Sequence, residues 1–116
     1  MKEGSIYEWD FTDRTVNGAL RKKLMQLVCA EFSVTPEQLK GRDKRRNYVD
    51  ARRVFAYLSK RYMTDTFQKI GMELGGRDHS TIMVLLRGLE DFIDIKDPIT
   101  LKIEKIRNQF LNPNNL

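Results

Sequence analysis

Seven consecutive residues, Gly75-Gly76-Arg77-Asp78-His79-Ser80-Thr81, gather two glycines, a cation, a carboxylate, the chain's only histidine and two hydroxyls directly before the apolar run IMVLLRGLEDFI. Asp, His and Ser are the residue types of a hydrolytic relay. Neighbours on a helix point about 100° apart, however, so three in succession cannot line up as acid, base and nucleophile. A metal site fares no better, because His79 and Cys29 stand fifty residues apart and are the only histidine and cysteine. No G-x-x-x-x-G-K-[ST] phosphate loop occurs either. The sequence therefore holds no enzymatic constellation and calls for no cofactor. The chemistry that does fit is the reading of a nucleic-acid duplex. Thr81 offers a hydroxyl and a methyl, His79 a ring donor or acceptor, and backbone N–H groups at a helix tip suit phosphate. The plainer alternative for His79 is a cap or surface histidine.

For these residues to act together they must sit on a helix end, and the hydrophobic spacing supplies one. Ile82, Leu85, Leu86, Leu89, Phe92 and Ile93 follow a 3.6-residue period, predicting a helix from about His79 to Ile93 with Asp78 as its cap. Upstream, Thr66 reads as the cap of a short helix carrying Phe67, Ile70 and Leu74 and ending at Gly75, since glycine adopts the left-handed conformation cheaply. Two helices joined by Gly75-Gly76 make a helix-turn-helix in outline. The rest of the chain is helical too. Leu20, Leu24, Leu27 and Val28 define a first helix from about Thr15 to Phe32. Thr35-Pro36-Glu37-Gln38 is a capping box that opens a short second one, stopping near Gly41. Ala51, Val54, Phe55, Leu58 and Tyr62 mark a third, from Asp50 to about Tyr62. Asp97-Pro98 begins the last, with Ile99, Ile103, Ile106 and Phe110 on one face. The expected fold is all-α: a compact cluster of about six helices containing the helix-turn-helix, with no strand alternation and no repeat.

At 116 residues the chain has room for one core. It carries a formal +5 and a pI near 9.5. That surplus is concentrated: KGRDKRRNYVDARR, residues 40 to 53, holds seven basic residues against two acidic, while charges elsewhere cancel. Taken alone such a run is as well explained by a solvated loop and helix face. Beside a helix-turn-helix it becomes a candidate phosphate-binding or minor-groove element, because guanidinium groups bind phosphate bidentately and enter narrow grooves of enhanced negative potential. Within the run, Tyr48 is expected to cover the helix start. The lone Cys29 and the lack of a signal peptide or of any run near the roughly 20 apolar residues that span a bilayer lead to an expected cytoplasmic location.

These residues resemble the C-terminal DNA-binding domain of the bacterial replication-initiator family DnaA. The resemblance rests on Gly75-Gly76-Arg77-Asp78-His79-Ser80-Thr81 followed by an apolar helix, on Ile70-Gly71 before it, and on Ala51-Arg52 after a basic loop. It covers roughly residues 20 to 110. It implies a double-stranded DNA partner in replication origin binding or its regulation. Arg46 lines up with an arginine that enters the minor groove, and Arg52 with one on the following helix that contacts DNA. Lys44 and Arg45 lend electrostatic support. Asp78, His79, Ser80 and Thr81 line up with the major-groove readers, and Lys69, Gly76 and Arg77 with groups that meet backbone phosphate. Gln68 stands where proline can contact a base, Ser80 replaces the usual threonine, Arg53 a common glutamine, and Asp50 adds a negative charge. The expectation is a drifted sequence preference with the binding mode kept.

The expected organisation is an N-terminal arm or leader at residues 1–13, the DNA-binding domain at 14–111 and a frayed tail at 112–116. A full initiator carries an ATP-binding motor for which this sequence has no room. Met1 and the IYEWDF stretch favour a stand-alone product over an excised domain. A second functional reading stays open: an adaptor or antagonist of a replication protein that keeps the fold and uses Tyr7, Trp9 and Phe11 as anchors.

Overall fold

Local capping signals determine where most of the helices begin. The computed structural model describes residues 18–111; the expected leader, the helix start at Thr15 and the C-terminal tail lie outside the described residues. Among the described residues the elements are α1 Gly18–Phe32, α2 Pro36–Lys40, α3 Arg46–Met63, α4 Phe67–Glu73, α5 His79–Asp94 and α6 Ile99–Leu111, with no strand. The capping box of α2 forms as the sequence predicts: the Thr35 hydroxyl accepts from Gln38 N at 3.1 Å, and Gln38 Oε1 accepts from Thr35 N at 2.9 Å. Thr66 caps α4 and Asp78 caps α5. Asp97 Oδ1 accepts from Ile99 N at 2.9 Å at the head of α6.

Helix α3 departs from expectation. It starts at Arg46 rather than Asp50, and its N-cap, Arg45, makes no capping side-chain bond. Contacts distant in sequence replace the cap. Tyr48 is buried in the core, covering the helix start as expected, and Asn47 Nδ2 donates to the carbonyl of Phe32 at the end of α1 at 3.3 Å. The pair Arg46–Asp50, one turn apart at 3.0 Å, reinforces the first turn. Arg46 is thus the first residue of a helix and not part of the loop.

The core forms around α3, which packs against all five other described helices. Its inward face, Ala51, Val54, Phe55 and Leu58, is fully buried against Leu24 and Val28 of α1, Leu39 of α2, Ile70 of α4 and Ile82 and Leu89 of α5. Each fully buried large aliphatic or aromatic side chain contributes roughly 1.5–3 kcal/mol. This cluster sets how the helix-turn-helix sits on the rest of the molecule. Cys29 is buried on α1, and burial raises its thiol pKa.

Candidate nucleic-acid interface

The turn between α4 and α5 is organised around one carbonyl. Gly71 O accepts from Leu74 N at 3.2 Å, Gly76 N at 3.0 Å and Arg77 N at 2.9 Å. Sterics require glycine at 71: a Cβ there would lie 1.9 Å from Arg77 O, inside the backbone of the same turn. Gly75, at φ +82, turns the chain in the left-handed region, and a Cβ on it would come within 2.2 Å of Lys40 O. The turn therefore abuts the C-terminal end of α2, where the basic run begins.

From this turn α5 emerges with an exposed first turn. Asp78 Oδ1 accepts from Thr81 N at 3.0 Å and from Thr81 Oγ1 at 3.1 Å. The Thr81 backbone N–H, then its hydroxyl, hold the Asp78 carboxyl below its ordinary pKa. His79 and Ser80 are exposed beside it. Across from the tip lies the basic loop, where Asp43 Oδ1 accepts from Arg45 N at 2.9 Å and the Arg45 guanidinium lies 5.5 Å from the centre of the Tyr48 ring. Loop and tip meet in one open depression of about 530 Å³, lined by Arg42 and Lys44 from the loop and by Gly76, Asp78 and Thr81 from the tip, together with Val49 and Leu85.

The helix-turn-helix has counterparts among known proteins. The family model for the bacterial dnaA protein helix-turn-helix matches residues 22–87, more than half of the chain. The chain belongs to this DnaA helix-turn-helix family. It is 33% identical over 107 residues to the chromosomal replication initiator protein DnaA of Chlorobaculum tepidum, an alignment covering 85% of this chain and 22% of that protein. The corresponding DnaA of Gloeobacter violaceus is 33% identical over 85 residues, 73% of this chain and 19% of its own length. That of Streptococcus thermophilus is 32% identical over 78 residues, 67% and 17% respectively. The chain spans about a fifth of the length of the curated DnaA relatives it matches.

Within this DnaA-type domain the site residues expected from sequence fall into three groups. Lys44, Arg52, Gly76, Arg77, Asp78 and Thr81 converge on the depression, while His79 and Ser80 lie on the adjoining helix turn and Arg45 on the loop beside it. Gln68 and Lys69 stand on α4 outside the depression, Gln68 exposed and Lys69 Nζ 3.6 Å from Glu73. Gly76 cannot offer its N–H to phosphate, because Gly71 O already accepts it. The absence of any atom within 4 Å of a Cβ on Gly76 does leave that backbone open to close approach.

Arg46, 66% exposed, and Arg52, which borders the depression, carry intramolecular contacts that the sequence does not suggest. Arg46 lies over Phe92 of α5, 5.1 Å from the ring centre, and Arg53 lies 5.3 Å from it. Asp50 holds both, with Oδ2 to Arg46 and Oδ1 to Arg53, each at 3.0 Å. Arg46 lines a separate depression with Phe32, Asp97 and Pro98. Arg52 is turned inward at 3% exposure. Its Nε donates to Leu39 O at 2.7 Å, Nη1 to Asp43 O at 2.7 Å, and Nη2 to Gln38 O at 3.0 Å and Gly41 O at 3.1 Å. Beyond the Gly41 N–H that caps Gln38 O, the carbonyls at the end of this short helix lack donors, and an arginine on the packed face of α3 is in reach. Burial lowers its pKa, as it does for Arg77, where the neighbouring positive charges of Arg52 and Arg42 add to the effect.

One lining residue was not legible as such in the sequence: Arg42 borders the depression, although in sequence it is one charge among seven. Val84, off the apolar stripe of α5 and one turn beyond Ser80, is 63% exposed.

Proposed function

We propose that this domain binds double-stranded DNA with sequence preference, in replication origin binding or its regulation. The first turn of α5 enters the major groove, and the basic loop meets the neighbouring backbone or minor groove. The observation that carries this reading is the convergence of Arg42 and Lys44 with Asp78 and Thr81 on one depression, at the tip of a DnaA-type helix-turn-helix. His79, Ser80 and Thr81 are the base readers, with Asp78 holding the tip in helical geometry. Val84 extends that face with apolar surface suited to a thymine methyl. Lys44 and Arg45 supply phosphate or minor-groove charge, supported by Arg42, and Lys69 and Gln68 flank the tip from α4. Gly76 admits the DNA backbone by having no side chain. Arg46, paired with Asp50 yet with its side chain 66% exposed, adds positive charge beside the loop. The relatives named as chromosomal replication initiator proteins support the assignment to replication.

The test is a fluorescence-anisotropy titration of a duplex carrying an initiator-type box against a scrambled duplex of equal composition, at several salt concentrations. A preference that persists as salt rises is the expected result, because base contacts release few counterions whereas phosphate contacts release many. Equal and steeply salt-dependent binding to both duplexes would leave only the charge of the loop at work.

A further inference from the structure

The last carbonyls of a helix have no partner within it, and α2, five residues long, ends where the basic loop begins. Two arginines from different elements satisfy them. Arg52 of α3 donates to the carbonyls of Gln38, Leu39, Gly41 and Asp43. Arg77, at the helix-turn-helix turn, donates to those of Lys40 and Gly41, and to Leu74 O in its own turn. Four successive carbonyls, 38 through 41, thus accept from two guanidinium groups, which share Gly41 O. Positive charge at a helix C-terminus is favourable in itself, and only a planar fork of several donors can serve so many acceptors at once.

We infer that Arg52 and Arg77 are positioning residues: they clasp the basic loop to the helix-turn-helix turn, so that loop and α5 tip meet DNA as one preorganised unit. The inference rests on the DNA-binding reading for its functional half and on the free protein for its structural half. Arg52 borders the depression, but at 3% exposure and with all three guanidinium nitrogens donated to carbonyls it cannot turn to a phosphate without releasing the loop. A loop held in advance spares the ordering cost that binding otherwise incurs, and two elements fixed together engage at high effective concentration. By residue type and position in the sequence alone, both residues pass for DNA-contacting charges.

The experiment compares wild type, Arg52→Lys and Arg77→Lys, each of which keeps the charge and loses the fork. Amide hydrogen exchange is followed without DNA at Leu39, Gly41, Gly76 and Arg77, whose N–H groups are hydrogen-bonded at α2 and the turn. The same proteins are titrated against box and scrambled duplexes. The expected result is exchange accelerated about tenfold at these amides in both variants, with α1 and α6 unchanged, and weaker binding to the box with the salt slope kept. Wild-type exchange rates in both variants would overturn the clasp, and retained box affinity would overturn its role in binding. Should Arg52→Lys unfold throughout, the less buried Arg77→Lys decides by the same two criteria. A wild-type protein that ignores the box would remove the DNA-binding reading, while the exchange measurement would still decide whether the clasp exists.

Discussion

Asp65, in the turn between α3 and α4, receives both arms of the Arg21 guanidinium from α1, Nε on Oδ2 at 3.0 Å and Nη2 on Oδ1 at 2.8 Å, with both side chains less than a tenth exposed. Forty-four residues separate them in the chain. The pair ties the first helix to the segment from which the helix-turn-helix departs. Asp65→Ala removes two buried charge-assisted hydrogen bonds and is expected to lower stability by roughly 1.5–3 kcal/mol, read as the urea unfolding midpoint at constant m-value. A loss under about 1 kcal/mol would mean that the pair behaves like a surface ion pair.

The glycines of the turn separate steric need from conformational need. Gly71→Ala drives a methyl into Arg77 O, so it is expected to cost about 3 kcal/mol or more, at the upper end of overpacking. Gly76→Ala meets open space and only the strain of φ +84, about 1–2 kcal/mol. Thermal melts rank the two. A loss of DNA affinity by folded Gly76→Ala would report the close approach of a DNA backbone.

Acid should loosen the α5 tip through Asp78. Its folded-state pKa is depressed by the Thr81 N–H and hydroxyl, so the cap stabilises the folded protein above the ordinary aspartate value of 3.8. That contribution is lost as pH falls through the lower, folded value. The stability difference between wild type and Asp78→Ala is therefore expected to be constant near neutrality and to shrink in acid. A difference independent of pH down to full protonation would assign the cap no electrostatic part. Asp78→Asn, a good cap without charge, should retain most of the stability at neutral pH.

Base readers and backbone-binding residues differ in how they fail. His79→Ala or Thr81→Ala is expected to reduce discrimination between box and scrambled duplex by roughly 1–3 kcal/mol for each base-edge hydrogen-bonding group removed. Arg45→Ala should weaken both duplexes alike and flatten the salt slope by about 1. Thr81 also donates to Asp78, so its variant is checked for retained helicity before its binding is compared. Equal weakening on every duplex after His79→Ala would remove His79 from the readers.

Asp50 offers a gain of function. Its carboxylate holds Arg46 against α3 and is shared with Arg53. Asp50→Asn is expected to free Arg46, already 66% exposed, from its ion pair and raise affinity for any duplex, with a steeper salt dependence, while costing about 1 kcal/mol of stability through the weakened bond to Arg53. Unchanged affinity and slope would mean that Arg46 stays on Phe92 or lies away from DNA.

Features that depend on neighbours within a few residues were legible in the letters alone. Thr35 with Gln38, Thr66 and Asp78 are caps whose donors lie three positions on, and the 3.6 period of Ile82, Leu85, Leu86 and Leu89 is a property of one helix. The helix-turn-helix, its glycine turn and the exposed tip could be read for that reason. Features that depend on partners far along the chain took shape only through packing. The start of α3 at Arg46 required Phe32 O and a buried site for Tyr48. The pairing of Arg21 with Asp65 required α1 to pack beside the α3–α4 turn. Most of all, seven cations between Lys40 and Arg53 look alike as letters. Only the packed fold makes Arg52 inward-facing, toward carbonyls at and beyond the end of α2 that accept its donors, and leaves Lys44 and Arg45 to solvent. An arginine's charge is written in the sequence, but its direction is set by which unsatisfied polar groups the fold brings within its reach.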